Sequence, residues 1–140
     1  MEFVCDAPEN KAWFRVETEA EAILESEAMQ HAVEKYFRRE EAKAREAYQP
    51  QSSNAIERDI GLKAHLQRTM PLFLTLRDRE GKALATAMLP PRGEDDLAFG
   101  TIVVGRGNAD PYPEHGTAIE ALGQHLGIML SRERCYPYKR

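Results

Sequence analysis

The chain has 140 residues, of which 42% are hydrophobic, and this length and composition fit one folded domain (1–140) rather than a disordered segment. Acidic residues outnumber basic ones by 23 to 19, giving a formal net charge of −4 with both signs interspersed, so a nucleic-acid surface is not expected. Residues 1–30 contain no long apolar run, and no stretch approaches the ~20 apolar residues of a membrane span. We therefore expect no membrane span and a cytoplasmic location.

A short aromatic and β-branched run from Trp13 to Val16 predicts a strand over about 12–17. The strand leads directly into Thr18, which forms the pattern of a capping box with Glu21 three positions later. Residues 18–48 contain no glycine or proline and are rich in Ala and Glu, so they predict one long helix.

The length of this predicted helix raises the question of what covers its far end. An unbroken helix over 18–48 would extend about 46 Å. A compact domain of this chain length has a diameter of roughly 37 Å. The helix therefore kinks, ends early, or packs its far end on a second copy of the chain.

The apolar face of the long helix suggests where such a second copy would bind. Large apolar residues become sparse after Phe37, and Glu40 lies at the centre of the stripe. We interpret Glu40 as the point where the helix leaves the core; the alternative is a buried functional carboxylate. The predicted homodimer interface consists of Val33, Phe37, Glu40, Ala44 and Tyr48.

The middle of the chain predicts a second helix and a meander of strands. Asn54 and Glu57 suit the start of a helix over about 55–68, although Gly61 weakens its centre. Strand-like runs follow at 72–77, 83–89 and 101–104. The first two are joined by a short polar connection containing a glycine, which predicts a hairpin, and residues 90–96 predict a longer turn.

The last predicted helix covers about 117–131, with Thr117 as its cap, and a basic, aromatic tail follows over 132–140. We interpret this tail as packing on the domain rather than as a nucleic-acid surface. Together the elements predict an α+β fold, with a three- to four-stranded antiparallel sheet formed by the meander 72–104 and the strand 12–17.

The loop 105–116 is the first candidate for a site because it holds the densest cluster of chemically able side chains. It does not match a dinucleotide-binding turn, since Asp110 stands where the third glycine should be. The candidate ligand-binding residues are Arg106, Asn108, Asp110, Tyr112 and His115. An enzyme would instead use His115 with Asp110 and Glu114, which requires an acid and a nucleophile within reach of the imidazole.

The remaining histidines and the cysteines do not add a second site. His31, His65, His115 and His125 lack metal-ligand spacing, so neither a metal nor a cofactor is expected. Cys5 and Cys135 are predicted to be free thiols.

Three functional hypotheses follow from the sequence. The first is a non-enzymatic interaction or regulatory protein that self-associates through the long helix and has a further, unknown protein partner. The second is a small-ligand sensor whose pocket is closed by the loop 105–116. The third is an enzyme that uses a histidine and an acid.

Overall fold

A computed structural model describes residues 1–91 and 101–135 of the chain. The strands are β1 (Glu2–Ala7), β2 (Lys11–Arg15), β3 (Leu72–Arg77), β4 (Ala83–Leu89) and β5 (Ile102–Val104). The helices are α1 (Glu19–Met29), α2 (Val33–Ala47), α3 (Ala55–Thr69) and α4 (Tyr112–Leu126), with short 3-10 turns at Arg106–Asn108 and Arg132–Arg134. The predicted α+β class is confirmed.

The five strands form one antiparallel sheet in the order β1-β2-β3-β4-β5. β2, α3 and the meander lie where the sequence predicts them, whereas β1 was not predicted. The three helices α1, α2 and α3 are inserted between β2 and β3, which are neighbours in the sheet. In the register of the central strands Thr75 lies opposite Thr86, in the middle of both strands.

Both faces of the sheet are covered, as the unbroken apolar run at the start of β3 predicts. On one face Trp13, Leu74 and Leu76 pack with Ile119 and Leu122 of α4, and the Trp13 indole N–H donates to the carbonyl of Ala118 at 2.8 Å. The other face carries a second core that α1 and α2 cover; it comprises Val16, Ala22, Phe37, Ala44, Met70, Phe73 and Met88.

The helical span predicted over 18–48 is present as two helices, so the structure follows the kinked alternative. The predicted capping box of Thr18 and Glu21 starts α1, which ends at Gln30 in the left-handed conformation, with φ 53° and ψ 51°. Ser26 connects the two helices, because its hydroxyl accepts from the backbone N–H of Glu34 at 3.0 Å and donates to the Glu34 carboxylate.

The far half of α2 is covered by α3 of the same chain. Phe37, Glu40 and Ala44 are buried, so the helix does not leave the core at Glu40; this carboxylate lies near Arg39 Nε and Lys43 Nζ, at 3.4 and 3.6 Å. Val33, at the start of α2, is half-buried against the second core. Self-association stays a prediction; of its five predicted interface residues, Phe37, Glu40 and Ala44 are buried within one chain, whereas Val33 and Tyr48 are partly exposed.

Contacts between α2 and α3 explain this cover. His65 Nε2 lies 2.9 Å from the carbonyl oxygen of Ala44, and the Tyr48 ring packs 5.1 Å from the His65 ring. A side chain at Gly61 would collide with the Tyr48 hydroxyl, so the glycine that weakens the sequence pattern of α3 permits close helix packing.

The last helix, α4, has a kink near its start. Non-helical backbone at His115, with φ −124° and ψ 17°, separates a first turn at Tyr112 from the main part of the helix, which overlaps the predicted span of about 117–131. Within the described residues, no side chain caps the start of α4. Pro113 fits the first turn, because the backbone N–H that proline lacks has no intrahelical partner there. Gly127, with φ 71°, ends the helix in the left-handed conformation that only glycine adopts without cost. Residues 92–96 of the predicted turn over 90–96, and residues 136–140 of the predicted tail over 132–140, lie outside the described residues.

Replacing Gln30 with glycine should stabilise the protein. The left-handed backbone at Gln30 costs a residue with a Cβ more than it costs glycine. We expect Gln30→Gly to raise the free energy of unfolding by about 0.5 kcal/mol, as measured by urea denaturation. Gln124→Gly, at an exposed position inside α4, is the matched control and should lower it by about 1 kcal/mol. Destabilisation by both variants would contradict the prediction.

Candidate functional site

A fully buried carboxylate, Glu25, lies at the centre of the most polar cluster inside the protein. α1 places it there because Ala22, Ser26 and Met29, at helical spacing on either side of Glu25, all face the sheet. The side chain of Glu25 therefore points at the middle of β3 and β4, where the two threonines lie side by side.

Each carboxylate oxygen of Glu25 accepts a threonine hydroxyl. Thr75 donates to Oε1 at 2.9 Å, and Thr86 donates to Oε2 at 2.5 Å. Arg77 adds a charge-assisted bond from its guanidinium to Oε1 at 2.8 Å, and its Nε donates to the Thr75 hydroxyl at 3.0 Å. The buried negative charge is thus neutralised and its oxygens are satisfied.

His31 extends this network from the core to the surface. Its Nε2 lies 2.8 Å from the Thr86 hydroxyl oxygen. A threonine has only one hydroxyl proton, and that of Thr86 is donated to Glu25, so His31 must carry a proton on Nε2 and donate it to Thr86. The other ring nitrogen, Nδ1, then has a lone pair, which faces the backbone N–H of Val33 at 3.4 Å.

The surroundings of His31 favour the neutral imidazole. Burial lowers the pKa of His31 below its ordinary value. The negative charge of Glu25, a hydrogen bond to the backbone of His31 and the negative charge of Glu34 only partly offset this effect. Near neutral pH the ring therefore remains a hydrogen-bond donor at one nitrogen and an acceptor at the other.

A pocket of about 330 Å³ opens beside His31, between the start of α2 and the β4–β5 edge of the sheet. Its walls are mainly apolar and include Val33, Met88, Ile102 and Val104. Among the described residues, His31, Thr86 and Asn108 supply polar groups to it, and Tyr36 adds an aromatic wall with a hydroxyl at its end. A small concave space with apolar walls and few polar groups is the usual form of a small-molecule site.

Two larger grooves lie away from the buried polar network around Glu25. One of about 430 Å³ lies between β2 and α3, and another of about 670 Å³ runs along α4 and the segment that follows it. Neither is lined by Glu25, His31 or Thr86. The smaller pocket is therefore the stronger candidate, because it alone of these three adjoins the buried polar network.

The structure places the predicted site residues of the loop 105–116 in different environments. Asp110 accepts the backbone N–H of Tyr112 at 3.0 Å and the Nε–H of Arg132 at 2.7 Å. Burial acts to raise the pKa of Asp110, but these two hydrogen bonds outweigh it and lower the pKa. Burial raises the pKa of the Cys135 thiol, and the Tyr112 hydroxyl beside it partly offsets this effect. These contacts tie the loop and the C-terminal segment together.

His115 faces a different neighbourhood from Asp110. Its Nδ1 lies 3.5 Å from Lys11 Nζ, and its Nε2 lies 3.7 Å from the exposed carboxylate of Glu114. Burial and the positive charge of Lys11 lower the pKa of His115. Since the Asp110 carboxylate is directed to Arg132, the predicted grouping of His115, Asp110 and Glu114 does not form a unit around the imidazole.

Of the five predicted ligand-binding residues, only Asn108 lines the pocket beside His31. Arg106 is exposed at the start of the 3-10 turn that ends at Asn108. Glu25, Thr75 and Thr86 were missed as a site, although each carries a signal in the sequence. Glu25 interrupts the inner face of α1, and a single threonine interrupts each of two apolar strands.

Neither a metal site nor a membrane helix is evident in the part of the chain that the structure describes. Within residues 1–91 and 101–135, His, Cys, Asp and Glu do not form a group of three able to hold a metal ion. No helix in these ranges is long and apolar enough to cross a bilayer. Cys5 and Cys135 are buried free thiols in the same core, and burial raises the pKa of both.

Similarity to known proteins gives no indication of what this site does. No family model, curated protein or solved structure matches the chain.

The two lowered histidine pKa values predict acid sensitivity. Because the folded pKa of His31 and His115 lies below the ordinary value of 6.5, the unfolded chain binds more protons as the pH falls below that value. The free energy of unfolding should therefore be highest above pH 6.5 and decrease as the pH falls through the folded pKa values.

Urea denaturation at pH 7.5, 6.5 and 5.5 measures this slope. His31→Gln should remove the part of the pH dependence of the free energy of unfolding that comes from His31. His115→Gln should remove the part that comes from His115. A slope that both variants leave intact would show that other groups cause it.

Proposed function

We propose that this chain is a small-ligand-binding domain whose ligand occupies the pocket beside His31. The observation that carries this proposal is the junction of the pocket with a buried, fully paired polar network. A hydrogen-bonded chain runs from Arg77 through Glu25 and Thr86 to His31, which lines the pocket wall.

The energetics of the network support this proposal. Replacing a buried ion pair by apolar residues is often neutral or stabilising, so Glu25 and Arg77 are not needed simply to fill the core. What the pair does provide is a fixed orientation and protonation state for His31. Orientation of a polar group at the edge of an apolar pocket is what selective ligand binding requires.

The position of the pocket also supports binding rather than catalysis. The polar groups among its described lining residues are the imidazole of His31, the amide of Asn108, the phenol hydroxyl of Tyr36, and a threonine whose hydroxyl proton is donated to Glu25. Within the described residues the Thr86 hydroxyl proton is directed to the Glu25 carboxylate, which is already paired with Thr75 and Arg77, and the neighbouring His31 nitrogen donates rather than accepts. The arrangement recognises a hydrogen-bonding group more readily than it performs nucleophilic chemistry.

A thermal-shift screen of a metabolite library tests the proposal. A ligand that binds the folded state raises the melting temperature, and at about 100 times its Kd it adds about 2.7 kcal/mol of stability. Hits should shift the NMR signals of Val33, Met88 and Ile102. A library without stabilising compounds, or hits that shift only signals elsewhere, would refute the proposal.

A variant that fills the pocket provides the control. Ile102→Trp places a larger side chain on the half-buried pocket wall, so it should abolish stabilisation by the hits. Ile60→Trp makes the same change at a position on α3 that is 62% exposed and lies outside the pocket. It should leave stabilisation by the hits unchanged.

A further inference from the structure

We infer that the ligand of this pocket is an uncharged, largely apolar ring compound that donates an N–H or O–H hydrogen bond to Nδ1 of His31. This inference rests on the proposed function and names the chemical class of its ligand. It follows from the hydrogen-bond directions in the network and from the charges around the pocket.

The first step is the orientation of the imidazole. Glu25 is a pure acceptor, so the hydroxyl proton of Thr86 points at Glu25 and the Thr86 oxygen accepts from His31 Nε2. The one N–H proton of the neutral imidazole therefore lies on Nε2, the nitrogen that faces Thr86. A ligand that contacts the other nitrogen, Nδ1, meets a hydrogen-bond acceptor.

The second step is the availability of Nδ1. Among the described residues the donor that faces it is the Val33 N–H at 3.4 Å, beyond the 2.7–3.2 Å range of ordinary N–H hydrogen bonds. Both His31 and Val33 line the pocket. A ligand donor at normal distance would form a stronger bond with Nδ1 than the Val33 amide does.

The third step is the charge that the pocket tolerates. Within the described residues its lining contains no Lys, Arg, Asp or Glu. Two carboxylates act on His31 from nearby: Glu25 is paired with Arg77 at 2.8 Å, and Glu34 accepts the Ser26 hydroxyl and is balanced by Lys35 and Arg38. Burying an unpaired charge against such walls is costly, whereas a neutral ring buries apolar surface favourably. Tyr36, Met88 and Ile102 offer aromatic, thioether and aliphatic surfaces that suit a flat ring.

Three commercially available bicyclic probes test the inference with the full chain. Indole has a ring N–H donor, benzothiophene has nearly the same shape without the donor, and tryptamine adds a positive charge to indole. Binding is measured by titration with ¹H–¹⁵N NMR. We expect indole to bind about tenfold more tightly than benzothiophene, the ratio that one hydrogen bond of typical strength provides, and more tightly than tryptamine.

A measurement on the unmodified protein tests the ring orientation without any variant. Long-range ¹H–¹⁵N correlation of the imidazoles at pH 7.5 should show His31 with its proton on Nε2. In His31→Phe, which keeps a ring but lacks the acceptor, the preference for indole over benzothiophene should disappear. His125→Phe, on the exposed side of α4, should retain it.

The possible results separate this inference from the proposed function. Equal affinities of indole and benzothiophene, tighter binding of tryptamine, or a proton on Nδ1 of His31 would overturn the inference. If the metabolite library gives pocket-binding hits while indole does not bind, the ligand class is wrong and the proposed function stands. If neither the library nor the probes bind in the pocket, both are refuted.

Discussion

Glu25→Ala is expected to destabilise the protein by about 3–5 kcal/mol, the usual cost of removing one partner from a buried ion pair. Glu25 is fully buried, and its loss leaves Arg77, whose side chain is 18% exposed, without its carboxylate. The hydroxyls of Thr75 and Thr86 lose their acceptor as well. Since small domains have only about 5–15 kcal/mol of stability, the effect is a large share of the total.

Equilibrium urea denaturation followed by circular dichroism measures this loss. Glu27→Ala, at an exposed position on the same helix, is the matched control and should change the free energy of unfolding by less than about 0.5 kcal/mol. The double variant Glu25→Leu, Arg77→Met removes both charges of the buried ion pair. It should be more stable than Glu25→Ala, and an equal or greater loss in the double variant would contradict the ion-pair explanation.

Phe37→Ala is expected to cost about 3–5 kcal/mol because it creates a cavity in the second core. The Phe37 ring is 1% exposed and meets the Phe73 ring edge to face, with centroids 5.1 Å apart. Urea denaturation at several protein concentrations should give the same loss each time. A homodimer interface at Phe37, as the sequence suggests, would instead make the loss depend on concentration.

Phe3→Ala provides the comparison for this substitution. Phe3 is 54% exposed on the edge strand β1 and contacts the Phe14 ring edge to face at 5.9 Å. Its loss should cost about 1 kcal/mol, the value of an aromatic pair without deep burial. A Phe37→Ala variant that is no less stable than Phe3→Ala would show that the α2 side chain is not part of the core.

The break between α1 and α2 shows why the sequence left the long helix undecided. Neither glycine nor proline marks the break, because Gln30 takes a left-handed conformation that glycine usually occupies. The bend is stabilised by Ser26 and Glu34, eight positions apart, and by packing of both helices on the same sheet face. Helical periodicity in a sequence shows which residues lie on the same face of a helix. It does not show where one helix ends and the next begins.

The α2 interface illustrates the same limit at longer range. A weak apolar stripe of alanines beyond Phe37 fits a partner from another chain as well as it fits a helix from the same chain. The partner is α3, through Tyr48, His65 and the close approach at Gly61. That contact depends on where α3 lies in space, and local sequence patterns carry no such information.

The sequence by itself determined the α+β class, the strands β2 to β5, the helix α3 and the capping box at Thr18. Capping, turn chemistry and strand patterns act between near neighbours in the chain, so they can be recognised without the fold. The site was decided by tertiary structure. Glu25, Thr75, Thr86 and His31 come from three elements and the turn after α1, and they meet only when α1 packs across β3 and β4. Hydrogen bonds that join residues about fifty positions apart leave no periodic trace, so only the packed fold reveals them.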